Sequence, residues 1–77
     1  MEIIGINRGK IKVIIDGKSL IITGELTTTP IFYADINSIK NWEYPYEGIK
    51  ITENERQEII HSITEKAKDA AIKIIFD

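Results

Sequence analysis

Residues 10–23 read KIKVIIDGKSLIIT, and the arrangement around Asp16-Gly17 decides the fold. Both central residues of a type I′ turn need positive φ, so Asp-Gly between apolar runs is a strong hairpin signal. Counting outward from that two-residue loop pairs Ile15 with Lys18, Val13 with Leu20 and Ile11 with Ile22. Ile11, Val13, Ile15, Leu20 and Ile22 then share one face, the core side. Lys10 meets Thr23 and Lys12 meets Ile21 on the other. A slip of one residue would turn every core side chain to solvent, so turn chemistry and hydrophobic pattern specify the same register.

The flanks extend this hairpin into a sheet. Residues 3–6 form a short apolar strand, and Asn7-Arg8-Gly9 is a turn. Gly24 marks a bulge or bend, because glycine weakens a strand interior. Thr27-Thr28-Thr29-Pro30 breaks the chain before a strand over residues 31–36, with Phe32, Ala34 and Ile36 inward and Tyr33 and Asp35 outward. Residues 37–48 make an irregular connection anchored by Ile39 and Trp42.

A helix begins at Thr52. Thr52 and Glu55 form a capping box, and Glu53 and Glu55 suit the positive end of the helix dipole. Ile51 precedes the cap, but its usual apolar staple partner is Arg56, which leaves that motif incomplete. Ile59, Ile60, Ile63, Ala67, Ala70 and Ala71 recur at helical spacing as one apolar stripe. The narrowing from Ile to Ala brings the far end of the helix closest to the sheet. From Ile72 the period becomes two, with Ile72, Ile74 and Phe76 alternating with Lys73, Ile75 and Asp77. The order β-β-β-β-α-β predicts an α+β domain over residues 1–77, one helix packed on one face of a mostly antiparallel sheet.

Seventy-seven residues bury roughly 60% of the unfolded surface, enough for one core layer without a deep cavity. The chain has no cysteine, which removes disulfides, thiolate nucleophiles and Cys-based zinc sites and fits a reducing cytoplasm. No apolar run reaches the ~18 residues of a membrane span, and no signal-peptide pattern opens the chain. The net charge of −2 lacks the clustered basic surface that nucleic-acid binding needs. Nineteen Ile, with eight Lys against two Arg, fit an AT-rich bacterial genome and favour sheet.

The residues offer little catalytic chemistry. His61 is the single histidine, on the helix side away from the Ile stripe. Glu58, Ser62 and Glu65 lie near it, but the spacing is not HExxH and no third metal ligand follows. Such residues are ordinary solvated helix surface. The serines lack a nucleophile-elbow context, no glycine loop opens the helix to cradle phosphate, and Asp16, Asp35 and Asp69 are too scattered for a calcium loop. The expectation is a protein that is not an enzyme, takes no cofactor or metal, and contacts neither nucleic acid nor membrane.

Residues 41–58, NWEYPYEGIKITENERQE, carry five acids against Lys50 and Arg56, and the whole net charge of the chain arises there. The segment also holds the only Trp and two of the three Tyr. Acid alternating with aromatic is the composition of a protein-binding edge. Trp42, Glu43, Tyr44, Tyr46, Glu47, Glu55 and Glu58 are therefore the candidate contact residues. Aromatics pinning a connection to the sheet would give the same sequence, and a single Trp in a chain this short is more often the core plug than an interface anchor. Ile14, Ile21 and Tyr33, on the sheet face away from the hairpin core, offer a second patch for a homodimer or another partner.

Together IKVIIDGKSLIITGEL, ADINSIKNWEYP, ITENERQEIIHSI and IKIIF resemble the Immunity protein 74 family of bacterial toxin-immunity systems. The resemblance covers almost the whole chain, and the ordered set DGK, GE, SIKNWE-x-P and IT-x-x-E carries it. It implies a small cytoplasmic protein, encoded beside a toxin, that binds the cognate toxin domain and blocks it. It supplies no catalytic residues, and the matched Trp42, Glu43 and Pro45 are structural or interfacial. A non-enzymatic accessory or scaffold domain, assembling with itself or another protein through the sheet, is the alternative.

Overall fold

In the computed structural model, which describes all of residues 1–77, Asp16 and Gly17 adopt φ values of 50° and 78°. They are the one-turn connection between β2 (Lys10–Ile15) and β3 (Lys18–Leu26). The register is the one the turn dictates, from Ile15 opposite Lys18 to Lys10 opposite Thr23. Gly17→Val forces a β-branched residue to positive φ, at an expected cost of about 1–3 kcal/mol. A thermal melt identical to wild type would show that the turn tolerates what its geometry forbids.

β1 (Glu2–Ile6) pairs antiparallel with β2, with an irregularity between Ile3 and Gly5. That extra residue lets Ile3 and Ile6, three apart, both turn toward the core and leaves Ile4 exposed on the other face. β4 (Ile31–Ala34) pairs antiparallel with the last three residues of β3, and β5 (Lys73–Phe76) pairs parallel with β4. The result is a five-stranded sheet ordered β1-β2-β3-β4-β5. The mostly antiparallel α+β architecture holds, and the parallel pair follows from the crossover that carries α1 (Glu53–Ala67) back to the starting end of β4.

The core is a single cluster. Ile11, Val13, Leu20, Ile22, Phe32, Ala34 and Ile74 from one sheet face meet Ile59, Ile63 and Ala67 of α1, with Ile39 and Trp42 filling between them. Two sequence expectations shift. The helix ends at Ala67, and Ala70 and Ala71 are exposed in the turn leading to β5, so the stripe is three residues deep. β4 stops at Ala34 rather than Ile36, because the Asp35 carboxylate accepts from the Asn37 backbone N–H (2.9 Å) and starts a 3₁₀ turn over Ile36–Ser38.

Candidate functional site

β3 is nine residues long, but β4 covers only its last three on that side. The connection after β4 covers the rest. Asp35 N–H donates to Thr23 O (2.8 Å), Thr23 N–H to Ser38 Oγ (3.1 Å), and Glu43 N–H to Ser19 O (3.0 Å). The chain therefore runs beside β3 and protects its edge. Successive residues face opposite ways there: Trp42 is 4% exposed within the core, and Glu43 turns to the outer face.

This places the seven sequence candidates in different settings. Trp42 is a core plug rather than a surface contact: the edge-covering connection places it in the core cluster with Ile59 and Ile63 of α1. Its indole N–H is buried without a hydrogen-bond partner. An unmet buried donor costs about 1–3 kcal/mol, so the ring's packing must outweigh it. Glu43 is no free rim charge either. Its Oε1 accepts from Ser19 Oγ (2.8 Å) and lies 3.8 Å from Lys12 Nζ.

Beyond Glu43 the chain makes an excursion closed at its neck by an Asn41–Lys50 bridge and by Ile51 N–H donating to Lys40 O (3.0 Å). Tyr46 N–H donates to Glu43 O (2.8 Å), and Asn41 Nδ2 to Glu47 O (3.3 Å). Tyr44 is 84% exposed at the tip and Tyr46 39%. Glu47 is exposed beside them. Lys18, at the hairpin tip, places its Nζ 5.2 Å from the Trp42 ring centroid and 5.9 Å from that of Tyr46. Two cation–π contacts thus tie the excursion to the hairpin. Lys18 joins the site only in the folded chain, which brings residues 18, 42 and 46 together.

The helix start adjoins this cluster. Thr52 N–H donates to Glu55 Oε1 (3.0 Å) and Glu55 N–H to Thr52 Oγ1 (3.2 Å), the reciprocal capping box. The backbone N–H of Thr52, then its hydroxyl, and Lys18 nearby hold the Glu55 carboxyl below its usual range. Glu53 is also lowered, chiefly by the Gln57 amide and then by Arg56. A lowered folded value stabilises above the ordinary 4.5, and that contribution is lost as pH falls through the lowered value. Thr52→Ala is expected to cost about 1 kcal/mol at neutral pH. The stability gap between wild type and Glu55→Gln should be widest above pH 4.5 and close on acidification, which melts across pH would check.

Glu58 is exposed one turn on, and His61 is exposed on the helix as the sequence indicated. No three His, Cys, Asp or Glu side chains converge where they would hold a metal ion. Between the hairpin tip and the first turns of α1 lies a crevice of about 140 Å³ whose wall includes Asp16, Trp42, Glu55, Glu58 and Ser62. Asp16 and Ser62 join the site only through tertiary packing. A larger groove of about 520 Å³ sits near the opposite end of the helix, between Pro30, Ala67, Ala71 and Ile74. No helix is long and apolar enough to cross a membrane.

Compared with known families, residues 3–77 match the model described as Immunity protein 74. No curated protein and no solved structure matches the chain.

Proposed function

The chain belongs to the Immunity protein 74 family, and from that premise we propose that it binds a cognate bacterial toxin domain in the cytoplasm and neutralises it by occlusion. The observation that carries the reading is the family match across essentially the whole chain. The surface supports it: the acids and exposed tyrosines stand at one end of the fold, beside the hairpin tip and helix start. A pre-organised acidic surface speeds association with a basic partner, and an exposed Tyr anchors it at low entropic cost. The protein contributes no catalytic step, cofactor or metal, and its partner is a protein rather than nucleic acid or membrane.

The contact residues proposed are Tyr44, Tyr46, Glu47 and Glu58, flanked by Glu43 and Glu55, whose carboxylates already serve the fold. The test is co-expression with the toxin domain encoded by the neighbouring gene, with survival and binding kinetics as readouts. Tyr44→Ala should raise the off-rate by about 2 kcal/mol or more, roughly thirtyfold, without moving the melting temperature. Glu47→Lys with Glu58→Lys should slow association and reduce its salt sensitivity. Glu43→Lys is a poorer probe, since it breaks the contacts with Ser19 and Lys12.

Folded variants that bind like wild type would move the contact to the outer sheet face. That face carries exposed Ile4, Tyr33 and Ile75 with no helix over it, and half-buried Ile14 and Ile21 beside them. It is the surface through which a homodimer or scaffold assembly would form.

A further inference from the structure

We infer that the crevice between the hairpin tip and the helix start is the seat for one long basic side chain, arginine or lysine, of the protein partner. The inference rests on the toxin-binding reading and names the chemistry the site takes.

Three features converge on it. Asp16, Glu55 and Glu58 line the crevice with Lys18 as the opposing lysine, and the Lys18 ammonium is already engaged over the rings of Trp42 and Tyr46. Neither Asp16 nor Glu58 has an ion-pair partner within the chain. Their charge is therefore uncommitted. The rest of the wall is Met1, Ile15, Ile59 and the Trp42 ring with the Ser62 hydroxyl, and its apolar part suits the methylene stem of a long cationic side chain.

The third feature is independent of charge. The indole N–H of Trp42, a residue 96% buried by its 4% exposure, lacks any acceptor. An incoming residue brings a backbone carbonyl along with its side chain, the kind of acceptor that this donor, in a residue of the crevice wall, lacks. A volume of about 140 Å³ admits one side chain and falls short of the ~300 Å³ or more of a small-molecule pocket. Planar guanidinium can span two carboxylates, so arginine is the better fit of the two.

Trp42 is the only tryptophan, so it reports on the crevice directly. The experiment titrates the full chain with acetyl-arginine N-methylamide, following the indole N–H resonance and Trp emission, with the isosteric neutral acetyl-citrulline N-methylamide as control. A saturable shift with the arginine compound alone is expected, weakened tenfold or more in Asp16→Asn with Glu58→Gln. Both substitutions preserve the fold, since Asn suits the turn and Glu58 is exposed. An unmoved indole, equal shifts with citrulline, or an unaffected double variant overturns the assignment. No toxin is needed. Neutralisation without an arginine response would leave the function standing and remove the crevice, and an arginine response without neutralisation would do the reverse.

Discussion

Gly24→Ala is expected to destabilise the protein by about 3 kcal/mol or more, a fall in melting temperature of roughly 12–24 °C for a domain of this size. Gly24 is where β3 changes partners. Up to Thr23 it pairs with β2; from Gly24 it pairs with β4, opposite Ala34, while its N–H still donates to Gly9 O (3.0 Å). A Cβ at this position would overlap the Tyr33 carbonyl oxygen and the Phe32 ring, and would stand 3.0 Å from Ala34 Cα. None of these can yield easily. Tyr33 and Ala34 are held in ladders on both sides, and Phe32 is fully buried. The requirement is for space, since Gly24 has no positive φ. Gly5→Ala is the control: nothing lies within 4 Å of the new Cβ, so any loss there should be slight. Equal melting curves for Gly24→Ala and wild type would show that β4 shifts to accommodate a methyl group, and the tight crossing of the strands would not be a constraint on the fold.

The hairpin and the helix start were legible in the sequence because both are settled locally. Asp16-Gly17 fixes two dihedrals, and Thr52 and Glu55 satisfy each other's backbone within one turn. The helix end was not, although the Ala70 and Ala71 spacing continues the period. β5 must begin at Lys73 opposite Ile31, and the chain leaves the helix early to reach it. The end of β4 was missed for a different reason. Alternation continues through Ile36, but Asp35 turns the backbone, a signal present in the residues Asp35-Ile36-Asn37 and outweighed by hydrophobic pattern. The candidate site was legible as composition: acid and aromatic residues concentrated over residues 41–58. Which of them face outward was not, because the uncovered edge of β3 decides it. That edge draws residues 35–43 alongside, and the alternation along them buries Trp42 and commits Glu43 to Ser19, 24 residues away. Lys18 and Asp16 enter the site through the hairpin tip, which only tertiary packing brings to the helix start and the excursion.

Trp42→Ala is expected to cost about 3–5 kcal/mol, the range for removing a buried large aromatic, out of the roughly 4–12 kcal/mol that holds a domain of this length. The ring is the plug between Ile39 and α1, and its loss also releases the Lys18 contact that fixes the excursion. Loss of toxin binding by this variant would therefore say nothing about contact. Trp42→Phe separates the effects. It keeps most of the apolar ring and removes the N–H that has no partner, so part of the lost packing is offset by relief of a buried unsatisfied donor. Its stability loss should be well below that of Trp42→Ala, because the cavity left by the missing ring is the smaller one. Denaturant titration of both variants, with Tyr44→Ala alongside, gives the comparison that matters. Tyr44 is exposed at the tip and supports nothing beneath it, so it should melt with wild type and fail in binding. Trp42→Ala should fail in both, and only because the fold goes first. If Trp42→Ala melts within 1 kcal/mol or so of wild type, the ring is not a plug, and the edge-covering connection does not hold the excursion that presents Tyr44.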